Sequence, residues 1–376
     1  MSEIIERRGN NNTGAVCDGG KSRQVKQVPL LESTSARDLA KEDIAPLEYI
    51  INNLLPALGL GMLGAPPKSK KSWLCIDIGI CVSSGFKFLG YETKKCDVLY
   101  LDLESTKRRP RDRINLMTEN APPNFHIITG EQPVGKIGEG LEEQLADQLN
   151  KHSNIGLIII DVLKRIRPVQ KRGMSDYDRD YEDLGALKRF ADAHGVCILV
   201  VHHTRKMKDP DDPFNELAGS AGVLGVLDAA FVISKKKRDD KEATLYVTGR
   251  DTDQQALKIQ FNSTTLRWEN LGDAEEVEHN RLINEYKNSK VVNVVKRLLE
   301  QSNGEITYSA KELIDASQYI GSGMFKIYDT SQKVGMDLSK YTKLFEEIDN
   351  IKAVKKEKDS KGNIPWIFYN ILSDYP

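Results

Sequence analysis

Lys71-Ser72 stands at the head of an apolar run, "KSWLCIDIGICV", and follows the loop "GAPPKSK". A lysine and a hydroxyl at a helix start are what the outer phosphates of a nucleotide and their metal ion require, with loop amides turned inward ahead of them. Two frames fit the spacing G-x-x-x-x-G-K-S. In one, Ala65 replaces the first glycine; in the other, Gly64 is that glycine and the loop is one residue longer. Both leave Lys70 where a glycine usually precedes the key lysine. A side chain there costs about 1 kcal/mol if a positive φ is needed. The residues expected to line a nucleotide are Gly64, Ala65, Pro66, Pro67, Lys68, Ser69, Lys70, Lys71, Ser72 and Trp73. On this stretch alone, a basic loop with no ligand is the competing reading.

Further polar residues end apolar runs downstream. Asp161 closes "GLIIIDV", where a carboxylate ordering Mg2+ together with Ser72 is expected. Glu104 closes "YLDLE" and suits the orientation of an attacking water. His202 and His203 close "LVVHH", and one of them is suited to sensing a γ-phosphate. Arg250 in "TGRD" is placed to reach a neighbouring subunit's nucleotide and stabilise developing charge. Each has a plainer reading: a helix-capping carboxylate, a histidine packed on a loop, an ion pair with Asp251. Their joint occurrence after one phosphate loop is more specific, because ligands bind at the carboxyl edge of such sheets.

The elements that must position these residues are legible as alternating runs. "LIIID" and "VCILVV" are apolar on both faces, as central strands of a helix-covered parallel sheet are. "DVLYLDLE", "FHIITG" and "AAFVIS" are further strands, and helical stretches separate them, which implies a doubly wound α/β domain. "ATLYVTGRD", "ALKIQFN" and "TLRWEN" alternate polar with apolar residues and follow closely, as an antiparallel extension would. "KKKRDDK" (235–241) reads as a solvated turn, and Trp268 as packing. The expected organisation is a disordered segment at 1–28, an ATPase-type domain at 29–272, a linker at 273–289 and a small domain at 290–376. In the last, three helices close on a hairpin, the winged-helix pattern. Its recognition helix is expected at 332–348, and Lys355 and Lys356 in the hairpin are candidate DNA contacts.

The order of these elements resembles the RepA-like, RecA-type hexameric helicases of plasmids, phages and integrated elements, a group of the wider AAA-type ATPases. The resemblance covers about residues 45–272 and rests on "GLGMLGAPPKSKKSWL", "VLYLDLESTKRRPRDRI", "LIIIDVLKRIRP", "VHHTRKMKDPDDPFNELAGSAGVLGVLDAAFVI" and "LYVTGRDTDQQALKIQFN". It implies a RecA-like fold, ATP and Mg2+ as cofactors, ring assembly, expected as a hexamer, and single-stranded DNA in a central channel. By position, Lys71 and Ser72 match the family's loop lysine and hydroxyl. Glu104 matches its catalytic glutamate, Asp161 its metal-linked aspartate, His202 or His203 its sensor, and Arg250 its trans-acting arginine. Arg205, Lys206, Lys208 and Ser220 fall in the region expected to face DNA. A primase or initiator is the expected protein partner. Lys70 is the departure, and it bears on turnover more than on binding.

Composition bounds the alternatives. Net charge is −1, so any nucleic-acid contact must be local. The five cysteines include no C-x-x-C pair, which argues against a zinc ribbon and fits a reducing compartment. No apolar run approaches the roughly 18 residues of a membrane span, so a cytoplasmic location without membrane contact is expected. The leading reading is an ATP-dependent DNA helicase or translocase. A replication regulator or loader using ATP as an assembly switch is the rival. A metabolic kinase lacks an acceptor motif.

Overall fold

The structure, a computed structural model, describes residues 31–371 except 171, 205–208, 210, 218–221, 238, 303, 322–325 and 361. The segment expected to be disordered, 1–28, lies outside the described residues. Contacts divide the chain into two units, residues 1–46 and 47–376. In the first, the short helix α1 (Ala36–Leu39) is capped by Ser35, whose Oγ accepts from the Asp38 amide at 3.1 Å.

The second unit opens with a small hairpin, β1 (Tyr49–Ile51) and β2 (Leu55–Pro56). The main chain then alternates strand and helix: β3 (Gly59–Ala65), α2 (Lys71–Ser84), β4 (Asp97–Asp102), α3 (Arg108–Met117), β5 (Phe125–Thr129), α4 (Leu141–Lys151), β6 (Ile155–Asp161), α5 (Leu163–Ile166), α6 (Asp176–His194) and β7 (Cys197–His203). After α7 (Gly222–Val226) come β8 (Ala229–Ser234), β9 (Glu242–Gly249), β10 (Gln255–Phe261) and β11 (Trp268–Asp273). The strands form one nine-stranded sheet in the order β11-β10-β9-β8-β3-β7-β6-β4-β5. From β8 to β5 all pairs are parallel; β9, β10 and β11 extend the sheet antiparallel.

The period-2 pattern of the strands feeds two cores. Leu63, Val98, Tyr100, Leu157 and Ile159 face the layer holding α2 and α3. Leu60, Met62, Leu99, Leu101, Ile158 and Ile160 face the layer holding α4, α5 and α6. Strands buried on both sides must read as continuous apolar runs, and "LIIID" does. Helix α2 is buried almost all round, with Leu74, Cys75, Ile76, Ile78, Ile80, Cys81 and Val82 inside, so the loop before it has a fixed base.

Beyond β11, Asp273 caps α8 (Ala274–Lys287) through the Glu275 and Glu276 amides. Arg281 holds Glu242 of β9 with two bonds of 2.7 and 2.8 Å, and the buried Lys258 of β10 reaches Glu278 at 2.9 Å. A third core then gathers α9 (Lys290–Glu300), β12 (Glu305–Ser309), α10 (Ala310–Ala316), α11 (Ser331–Asp349), β13 (Ile351–Lys355) and β14 (Pro365–Asn370). Its sheet has the order β12-β14-β13. The sequence announced the β13–β14 hairpin but not β12, and the helix expected from Ser309 ends at Ala316. The run 235–241 is also not wholly solvated. Lys235 is buried, with its ammonium 5.5 Å from the Trp268 ring and donating to the Asp240 carbonyl. No described helix is long and apolar enough to cross a membrane.

Candidate nucleotide site

Gly64 and Ala65 still belong to β3, paired with His202 and His203 of β7. The connecting loop is therefore Pro66–Lys70, and α2 begins at Lys71. Gly64 is required by packing: a Cβ there would strike the Leu217 side chain and crowd Thr204. The left-handed backbone falls instead on two lysines, Lys68 (φ 64°) and Lys70 (φ 68°, ψ 25°). Lys70 occupies the N-cap position of α2 and makes no side-chain cap. The first amides of α2 thus remain available, as an anion site at a helix N-terminus needs.

The chemistry gathers at the carboxyl edge of β3, β6 and β7. Ser72 Oγ donates to Asp161 Oδ2 at 2.6 Å. The fully buried Tyr100 hydroxyl reaches the same oxygen at 3.1 Å. Lys71, 7% exposed, places Nζ 2.6 Å from His203 Nδ1. An ammonium only donates, so the ring nitrogen accepts and His203 is neutral. Burial, and then the Lys71 charge, hold His203 below the usual imidazole range. Lys71 is itself pushed down by burial, against the pull of Asp161 and Glu104. His202 is lowered to about 4, by burial first and by Arg167 second. Glu104 is exposed, just past the end of β4.

Several buried polar atoms around the loop lack a partner: Ser69 Oγ within it, Thr204 Oγ1 after β7, His202 Nδ1, and Asp102 Oδ2 at the end of β4. Burying such groups unpaired is costly, and a phosphate with its hydration would satisfy donors placed like Ser69. Ser72 Oγ and Asp161 Oδ2 form a hydroxyl–carboxylate pair of the kind that holds Mg2+ beside a nucleotide. The residues present therefore fit both groups.

Lys70 does not point into this crevice. Its Nζ lies 3.2 Å from the centre of the Phe261 ring, at the end of β10. Trp73 meets Phe261 edge-on at 6.2 Å, and Arg113 of α3 lies 5.1 Å from the Trp73 ring. Arg250 is also elsewhere. Gly249 pairs with Ala229 at the start of β8, which puts Arg250 at the amino edge of the parallel strands, away from its own phosphate loop. There it donates to the Gly225 carbonyl at 2.6 Å and sits 3.8 Å from Asp228. Arg205, Lys206, Lys208 and Ser220 lie outside the described residues. Lys355 and Lys356 are exposed where β13 enters its hairpin, with Lys355 5.9 Å from the Trp366 ring.

Sequence reasoning passed over Asp102, Tyr100 and Phe261. Asp102 had a signal, since "YLDLE" carries two carboxylates and Asp102 is the register partner of Asp161. Tyr100 is a tyrosine inside an apolar strand, whose hydroxyl needs a buried partner.

A mixed sheet of this order, with flanking helices and a phosphate-type loop, resembles a RecA-like P-loop ATPase. Residues 25–209 match the family described as an AAA domain. That span is just under half of the chain, and it holds the loop, Glu104, Asp161 and both histidines. Among curated proteins no match is found. Solved structures similar to this chain include one described as an isolated ATPase domain (13% identity, 57% of this chain, 85% of that one, TM-score 0.47). A DnaB-like replicative helicase, solved with attention to its interactions with primase, is similar at 13% identity over 57% of each chain (TM-score 0.46). The RadB recombinase is similar at 15% identity over 58% of this chain and 92% of that one (TM-score 0.39). This chain thus spans little more than half of the DnaB-like protein.

Proposed function

We propose that the chain is an ATP-hydrolysing motor on single-stranded DNA, serving replication of a mobile genetic element and working as a ring, expected as a hexamer. The observation that carries this reading is the convergence of Lys71, Ser72, Asp161 and His203 within hydrogen-bonding distance at one sheet edge. The α2 amides and Lys71 hold the outer phosphates. Ser72 and Asp161 hold Mg2+, which when bound neutralises phosphate charge. Glu104 accepts a hydrogen bond from the attacking water and orients it for in-line attack. His203 and the phosphate compete for the same ammonium, so binding frees His203 and signals to the segment after β7. Arg250 serves the neighbouring subunit's site.

The proposed boundaries are 29–272, 273–289 and 290–376. The order helix, strand, helix, helix, strand, strand supports a winged helix in the last. On α11, Lys333 pairs with Asp329 and Lys340 with Glu285. The hairpin with Lys355 and Lys356 is therefore the more available basic edge. A primase or initiator is the class of partner such a motor would meet.

Steady-state ATPase assays with and without single-stranded DNA test the reading. Strong stimulation is expected. Tight ATP binding without turnover would instead favour an assembly switch in a regulator or loader, a reading that the side chain at Lys70 supports.

A further inference from the structure

We propose that Phe261 is a positioning residue of the nucleotide site: its ring holds the Lys70 ammonium, and through it holds the phosphate loop in the left-handed turn that opens the α2 amides. The inference rests on the reading of this loop as a triphosphate site.

Lys70 has the backbone of a glycine, φ 68° and ψ 25°, at the one residue joining the loop to α2. A side chain in that region is strained, and the strain persists only where the surroundings over-determine it. No side-chain cap contributes. What remains is the ammonium seated 3.2 Å over the Phe261 ring. That ring is 3% exposed and edge-on to Trp73 at 6.2 Å and to Trp268 at 5.4 Å. It is further tied by the Phe261 amide to the Lys241 carbonyl at 2.8 Å.

Charge alone does not bring Lys70 here. Lys235 and Lys241 are its charged neighbours, and both oppose its protonation, as burial does. The attraction must come from the ring face, and cation–π contacts strengthen when partly desolvated. Trp73 is two residues past Lys71, so one ring contacts the loop at its cap and the helix at its first turn. The antiparallel extension thereby braces the loop from the side opposite Asp161.

Calorimetric affinity for MgATP across a set of variants tests this. Phe261→Leu is expected to weaken binding about 3- to 10-fold. Lys70→Met, which keeps the stem and leaves the ring in place, should weaken it as much. Lys70→Gly enters the left-handed turn freely, so it should bind more tightly than Lys70→Met by the same factor. Adding Phe261→Leu to Lys70→Gly should cost nothing further. Thermal melts run alongside identify any variant that fails to fold, and the two Lys70 variants carry the test if Phe261→Leu does. Equal affinities for Lys70→Met and Lys70→Gly, or a Phe261→Leu loss undiminished beside Lys70→Gly, would overturn the inference. A wild-type chain that takes up no nucleotide would remove the site itself, and the inference with it.

Discussion

At the scale of single residues, the site separates holding from turning over. Lys71 is buried at the mouth of α2, whereas Glu104 is exposed beyond β4. Lys71→Ala is therefore expected to abolish detectable ATP binding in calorimetry. Glu104→Gln should bind normally and turn over about 10²- to 10⁴-fold more slowly, the usual worth of a positioned base. His202 gives a prediction in pH. Its imidazole is neutral and buried, with a folded value of about 4 against 6.5 when free. The unfolded chain then binds the extra proton as pH falls below 6.5, and the folded chain does not. Stability is fully present above 6.5 and drains away between 6.5 and 4, by about 3 kcal/mol in total. Denaturant unfolding at several pH values should show this slope, and His202→Gln should flatten it. A wild-type curve flat over that window would place His202 in solvent.

Between elements, the phosphate loop is only as fixed as α2, and α2 is fixed by close approach. Gly79 lies where a Cβ would fall inside the Phe125 ring of edge strand β5, and Phe125 stacks on Tyr100 at 6.2 Å. Tyr100 in turn braces Asp161. Gly79→Ala should destabilise the fold by about 1–3 kcal/mol despite the better helix propensity of alanine, because the ring must shift. Chemical denaturation reads the loss, and Phe125→Leu in the same chain should recover part of it. This is also where the sequence was readable and where it was not. β6 and β7 were plain, because a strand buried on both faces must be an unbroken apolar run. The Lys71-Ser72 head of α2 and the polar strand ends were plain for a similar reason, since local spacing carries them. The β1–β2 hairpin and β12 were not, being two to five residues long and held by their partners more than by their own pattern. Lys70 on Phe261 was invisible too. A contact between residues far apart in the chain leaves no local trace, and a lysine beside a lysine reads as solvated charge. Lys235 misled in the same way, its stem covered by Trp268 inside a charged run.

For the whole molecule, the position of Arg250 makes a demand on assembly. It stands at the amino edge of the parallel strands, while Lys71 and Asp161 stand at the carboxyl edge. β3 alone spans seven residues between those edges, about 20 Å at the usual rise per residue, beyond the reach of an arginine side chain. Arg250 therefore cannot touch the nucleotide of its own chain, and a role in hydrolysis needs a second copy. Within its own chain it is held only at a half-exposed site, by the Gly225 carbonyl and Asp228, and Asp228 keeps Lys188 at 2.5 Å without it. Removing it should leave folding and ATP affinity nearly unchanged while hydrolysis falls about 10³-fold or more, as for arginines supplied in trans. The decisive measurement mixes two inactive proteins, Arg250→Ala and Lys71→Ala. At an interface where the first supplies Lys71 and the second supplies Arg250, one complete site forms. Activity should then rise with mixing to a fraction of wild type and fall again on dilution. Two proteins that stay inactive together, while each still assembles, would leave Arg250 as a tether for the α7–β8 turn, with the charge at the transition state supplied by another residue.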